Sequence, residues 1–198
     1  MPPRIDLWAS THLEDWEQAL ERYDATIARQ KPVRLPELDA WYRRELPFAI
    51  SAREEPHITH DELVRLTEWK MTRGIWRAPN LVRVRSNAPE RVVQVTRDAF
   101  AQVPHPTMPI ASVAALDGVG PATASAAVAA YRPDLYPFFD ELVAAQIPPL
   151  GKVEWTMAYY GRYAAALRER ARALGSHWTP AMAEQALWSH VGGKVGAH

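Results

Sequence analysis

Ile110-Ala111-Ser112-Val113-Ala114-Ala115-Leu116-Asp117-Gly118-Val119-Gly120-Pro121-Ala122-Thr123-Ala124-Ser125-Ala126-Ala127-Val128 is the stretch on which the fold turns. It reads as two short apolar helices joined by Gly118-Val119-Gly120, a hairpin spanning roughly 109–131. The glycines permit backbone conformations that a Cβ disfavours. A tight connection there leaves successive backbone N–H groups pointing outward at the start of the second helix. Such a cluster, reinforced by the helix dipole, is a natural anion site. Pro121 occupies the first turn, where its missing N–H costs nothing. Thr123 can add a hydroxyl contact, and Ala122, Ala124, Ala126 and Ala127 let the two helices approach closely.

Outward from the hairpin the pattern stays helical, with no continuous strand alternation. Thr11-His12-Leu13-Glu14 reads as a capping box ahead of Leu13, Trp16, Leu20, Tyr23 and Ile27. Pro36 opens a shorter helix carrying Leu38, Trp41 and Tyr42. Thr59-His60-Asp61-Glu62 is a second capping box whose helix runs to about Gly74. Pro89 suits a first helical turn before Val92, Val93 and Phe100. Further helices are expected near 109–116, 121–131, 139–147 and 153–174, with a last one from Thr179-Pro180 to Gly192-Gly193 and a frayed tail over 192–198. Many of the 17 prolines fall between these segments. The expected fold is an all-α domain over 1–198, either one body or two lobes with a cleft between them.

The Leu-x-Gly-Val-Gly-x-x-Thr-Ala pattern at Leu116 to Ala124 resembles a helix-hairpin-helix motif, best known from the helix-hairpin-helix DNA glycosylase superfamily with its endonuclease III-like fold. The resemblance is firm over about 109–143. It implies that the hairpin holds a DNA phosphate through the backbone of Gly118, Val119, Gly120, Ala122 and Thr123. A monovalent cation on the hairpin carbonyls is also found in this family, and no other cofactor is expected. Family members carry a catalytic aspartate after the hairpin, and the matching spacing, 18 residues beyond Ala122, lands on Asp140. Glu141 follows directly, so either carboxylate could take the role. Read without the resemblance, Asp140 is a helix N-cap, and the two roles are compatible.

The chemistry implied is base excision. Breaking an N-glycosidic bond builds positive charge on the sugar, which a nearby carboxylate stabilises while it orients a water. The target base must first leave the stack and enter a pocket. Some family members have lysine where this chain has Ala122, so the resemblance implies a monofunctional enzyme that leaves an abasic site. The chain also departs from the family at Leu142, where a histidine is common. The alternative is a non-catalytic binder of DNA structures. A third reading is a protein-interaction module built on the same hairpin.

Glu68-Trp69-Lys70-Met71-Thr72-Arg73-Gly74-Ile75-Trp76-Arg77 interleaves two tryptophans with three cations. At helical spacing Lys70, Arg73 and Arg77 share a face, suited to phosphates, while Trp69 or Trp76 could stack on an extruded base. A solvated basic face with Trp69 in the core is the equal competitor. Trp155, Tyr159, Tyr160 and Tyr163 follow the Asp140 helix; such stripes mostly pack cores, but Tyr159, with Phe139, is a candidate for the base pocket, and Phe138 is ambiguous. The seven histidines show no metal-ligand spacing, so no metal is expected.

The 198 residues carry 23 Lys+Arg against 23 Asp+Glu, and no cysteine. Lack of cysteine excludes disulfides, thiolate zinc sites and Cys-ligated clusters. Neutrality argues against a nucleic-acid partner only until the charges are placed. Residues 1–60 hold 8 basic and 11 acidic side chains, 61–100 hold 8 and 5, and 151–175 hold 5 and 2. Between the two basic segments, 101–150 holds one basic residue, and backbone amides there escape any charge count. Nineteen of the cations are arginine, which suits phosphate forks. No apolar run is long enough to span a membrane, and Met1-Pro2-Pro3-Arg4-Ile5-Asp6 lacks a signal-peptide core. The expectation is a cytoplasmic monomer, nucleoid-associated in a bacterial cell, with duplex DNA as partner.

Overall fold

A computed structural model describes residues 6–196. The N-terminal expectation for 1–5 and the last two residues of the tail lie outside the described residues. The described chain is helical throughout, with no strand among the described residues. In order the helices are α1 (Leu13–Glu21), α2 (Tyr23–Ala28), α3 (Leu35–Ala40), α4 (Leu46–Ser51), α5 (His60–Arg73), α6 (Ala78–Arg85) and α7 (Pro89–Ala101). They continue as α8 (Met108–Val113), α9 (Pro121–Tyr131), α10 (Glu141–Ala144), α11 (Met157–Leu174), α12 (Pro180–His190) and α13 (Gly193–Gly196). A π-helical turn, Trp41–Glu45, joins α3 to α4.

The start of α5 is as expected. Thr59 Oγ1 accepts from Glu62 N and Glu62 Oε2 accepts from Thr59 N, so two unpaired helix donors are satisfied at once. The first capping box is not formed. Helix α1 begins at Leu13 with His12 as its cap residue, which places Glu14 one position too early to reach back. Ser10 takes over, accepting from His12 N at 3.1 Å and donating to Asp15. The helix expected from Pro36 continues through the π-helical turn, which carries Trp41 and Tyr42 inward. The segment expected as a helix over 139–147 contains only the four residues of α10. Thr156 caps α11 through Tyr159 N, so Trp155 precedes that helix. The tail is ordered further than expected: α13 is a helical turn, anchored by Lys194 Nζ on Gly74 O and by Gln30 Oε1 accepting from Val195 N.

Helix α6 was not anticipated, and it positions the hairpin. One connected cluster of buried apolar side chains runs from Leu7 to Trp188 and takes in both hairpin helices. Every residue of α9 from Ala122 to Ala130 is buried, so its alanines are what let α4, α5 and α8 close around it. Tyr42 caps this packing by donating to Ala126 O at 2.9 Å. No helix among the described residues is long and apolar enough to cross a membrane.

Candidate functional site

The hairpin is fixed from beneath. Gly118 has φ +76°, and a Cβ there would fall 2.5 Å from Asn80 O and 2.8 Å from both Arg83 Cβ and Val84 N, so α6 lies directly against it. Asn87, just past α6, donates to Asp117 O at 2.9 Å and accepts from Asp117 N at 3.0 Å. This side chain therefore pairs both backbone groups of Asp117, the residue that leads into the turn. Val119 turns inward and its N–H donates to Leu116 O. Gly118 and Val119 are thus structural, and the expected phosphate contact from Val119 N–H is excluded because that donor is used. The N–H groups of Gly118, Gly120, Ala122 and Thr123 have no carbonyl partner among the described residues, and of these Gly120, Ala122 and Thr123 line the open face of the turn. Nothing lies within 4 Å of a Cβ built on Gly120.

These amides open into a cavity of about 460 Å³. Gly120 to Thr123 form one wall; Phe138 to Leu142 form another. The end of α5 supplies Lys70, Arg73 and Gly74, and Ile75, Arg77, Asn80, Trp155 and Lys194 complete the lining. The segment leading to Asp140 is held by hydroxyls. Tyr160 donates to Pro137 O at 3.3 Å and Tyr163 to Phe138 O at 2.7 Å, while Ser125 of α9 accepts from Phe139 N at 2.9 Å. Ser125 thereby fixes the spacing between the hairpin helix and the aspartate. Asp140 is 9% exposed, and its Oδ1 accepts from Leu142 N at 2.8 Å, so it is the N-cap that the sequence suggested. Its Oδ2 lies 3.6 Å from Arg73 Nε, an ion-pair contact too long for a hydrogen bond.

Arg73 corrects the sequence reading most sharply. It was expected to hold DNA backbone from a solvated face, yet it is 1% exposed. Its Nη2 donates to Glu184 of α12, whose other oxygen pairs with Arg43 at 3.2 Å. Arg43 lies 3.8 Å from Asp39, which also accepts from Tyr23 and Trp69. Arg73 lies 4.4 Å from the ring centre of Trp188. Burial disfavours its charge, but Glu184, Tyr23 and Asp140 outweigh that and hold its pKa above the usual arginine value. Arg73 therefore lies buried behind Asp140, bonded to Glu184 and in ion-pair contact with the aspartate. Arg77 also leaves the expected shared face: it lies beyond α5, exposed, at the start of α6, while Lys70 and Arg77 still line one cavity.

Of the four aromatics expected at the base pocket, Trp69, Trp76, Phe139 and Tyr159, only Phe139 lines the cavity, where Phe138 and Trp155 join it. Trp69 is wholly buried, stacked on Tyr42 at 3.6 Å and donating to Asp39, so it belongs to the core. Trp76 is 54% exposed and faces a neighbouring groove with Val33 and Val195. Tyr159 is buried behind Phe139, their ring centres 5.7 Å apart. Glu141 lines the cavity beside Asp140. Asn80 and Lys194 were missed; Asn80 belonged to an unanticipated helix and Lys194 to a tail read as frayed. No group of three metal-ligating side chains occurs among the described residues. Comparison of the chain with protein-family models, with curated proteins and with solved structures returned no match.

Proposed function

We propose that the chain binds duplex DNA and excises a damaged or modified base, with Asp140 acting beside the sugar. The observation that carries this reading is the convergence of two features on one cavity: the unpartnered amides at the start of α9 and the Asp140 carboxylate. The first suits a phosphate oxygen, reinforced by the dipole of an 11-residue helix. The second suits an oxocarbenium-like sugar. The volume falls in the range of roughly 300–1,000 Å³ usual for small-molecule sites, adequate for an extruded nucleoside. Phe138, Phe139 and Trp155 give that space aromatic walls, and Lys70, Arg77 and Lys194 give it positive charge. The hairpin sequence resembles that of helix-hairpin-helix glycosylases, which supports the same reading.

Two measurements test it. Binding to a short duplex should weaken steeply with salt, as phosphate contacts require. No binding at low salt would refute both the enzyme and the DNA-structure binder and leave the protein-interaction reading. Duplexes carrying varied base lesions, treated afterwards with hot alkali, should then show strand breaks that vanish in Asp140→Asn while binding persists. Binding without product on any lesion favours the non-catalytic binder. Unchanged product formation in Asp140→Asn removes the role of Asp140.

A further inference from the structure

Beside the candidate cavity lies a groove of about 640 Å³ that the base-excision reading does not use. Its floor holds Leu38 and Met71, both buried. Around them stand Pro32, Val33, Trp76 and Val195, all exposed, Val33 at 94%. These four come from three separate parts of the chain: the connection between α2 and α3, the link from α5 to α6, and α13. Apolar side chains scattered singly over a surface need no explanation, but a convergent set marks an interaction surface. The groove is also braced. Gln30 donates to Thr26 O at 2.9 Å and to Gly192 O at 3.1 Å, and it accepts from Val195 N at 3.2 Å. The α13 wall is thereby held against the connection that carries Pro32 and Val33. The free charge around this groove has one sign. Lys31 and Arg34 are exposed and make no hydrogen bond or ion pair among the described residues. Lys194 spends one of its three donors on Gly74 O. Glu68 is the one acidic residue in the lining, and it is paired with Arg85 at 3.1 Å.

We propose that this groove docks an acidic peptide segment of a partner protein. Apolar side chains of the segment seat on Leu38, Met71 and Trp76, and carboxylates flanking them pair with Lys31, Arg34 and Lys194. The lining favours a peptide over a nucleic-acid strand. Successive bases of a strand need π faces to stack on, and Trp76 is the one aromatic side chain in this groove, against five aliphatic or thioether ones. Aliphatic and aromatic side chains of a peptide need only apolar contact, and the flexible thioether of Met71 adapts to their shape. Tryptophan is also among the residue types that dominate binding energy at protein interfaces. A rim of one sign steers an acidic partner in and turns a basic one away. The docking site stands whether or not the chain excises bases. Because the groove shares Arg73, Gly74 and Lys194 with the candidate cavity, a docked partner would stand directly beside it.

The test is fluorescence anisotropy of the full chain at low salt with labelled synthetic peptides. Each peptide carries a leucine and a phenylalanine, at differing short spacings, between runs of aspartate. The expected result is saturable binding that weakens at least tenfold when the aspartates are replaced by lysine, and at least tenfold when the apolar pair is replaced by serine. Trp76→Ala, and Lys31→Glu combined with Arg34→Glu, should each lose at least tenfold in affinity with the thermal melt unchanged, since all three side chains are exposed. Phe48→Ala removes an equally exposed apolar side chain outside the groove and should bind as the parent chain does. Failure of every acidic peptide to bind overturns the proposal, as does binding that survives Trp76→Ala or is matched by the lysine peptides. A single-stranded oligothymidylate that binds more tightly than the peptides, and is lost in Trp76→Ala, overturns the peptide and gives the groove to nucleic acid. Peptide binding that depends on Trp76 in a chain that binds no duplex would uphold the docking site and refute only the base-excision reading.

Discussion

Two glycines, two residues apart in one motif, should respond in opposite ways to the same added methyl. In Gly118→Ala the backbone must stay at φ +76°, which costs an L-residue roughly 1–2 kcal/mol. The new Cβ would also lie 2.5 Å from Asn80 O and 2.8 Å from Val84 N, both backbone atoms of α6 that cannot swing aside. Overpacking of this kind costs about 1–3 kcal/mol, so the total is roughly 2–5 kcal/mol. For a chain of this length each kcal/mol shifts the midpoint by roughly 2–4 °C, so thermal unfolding should fall by about 4–20 °C. In Gly120→Ala the backbone is at φ −93° and ψ 179°, allowed for any residue, and nothing stands within 4 Å of the new Cβ. Stability should change by less than about 0.5 kcal/mol. Yet that methyl projects beside the open amides of the cavity, so affinity for duplex DNA should drop. Calorimetric or circular-dichroism melts measure the first pair of quantities, and fluorescence anisotropy at low salt the third. Equal destabilisation by the two alanines would refute the packing of α6 against Gly118. Unchanged affinity in Gly120→Ala would remove the hairpin from the binding surface.

Glu184→Gln should cost about 3–5 kcal/mol in denaturant unfolding, because Arg73 and Arg43 lose the carboxylate they share and keep only the longer contacts with Asp140 and Asp39. Trp69→Phe should lose about 1–3 kcal/mol through its hydrogen bond to Asp39, whereas Trp76→Ala should leave the melt nearly unchanged, the reverse of what two pocket tryptophans would give. Asn87→Ala should destabilise by about 1–3 kcal/mol and weaken DNA binding together, since it strands both backbone groups of Asp117.

The hairpin was legible because its signals are local. Gly-Val-Gly, Pro121 and the run of alanines each restrict the backbone within a few residues, and α9 has the expected bounds 121–131. The capping box at Thr59 is local in the same sense. The same motif at Thr11 failed because a cap requires the right residue at the right turn of a helix, and Ser10 offered a competing hydroxyl. Helix α6 was missed because Arg77, Pro79, Arg83 and Arg85 resemble a basic loop. Its apolar signal is two buried residues, Leu81 and Val84. The resemblance of the hairpin, with the spacing it implies, pointed to Asp140, and that residue lines the cavity. The burial of Arg73 was illegible because its partner, Glu184, lies 111 residues away, and a cation on a helix reads as solvated until such a partner is known. Trp69 went astray for the same reason, its partners being Asp39 and Tyr42.

Glu184 also sets an order of assembly. The counter-charge for the arginine behind Asp140 sits on α12, 111 residues further along the chain. A nascent chain that has already made α5 and α9 still has two arginines, Arg73 and Arg43, with no glutamate between them. Without Glu184 those arginines keep only their longer contacts with Asp39, at 3.8 Å, and Asp140, at 3.6 Å, so closing the walls of the cavity around Asp140 before α12 docks is unfavourable. A truncated product ending before residue 184 would therefore carry the hairpin and the aspartate without the geometry that joins them. The cavity is therefore assembled only once α12 has been made and has docked.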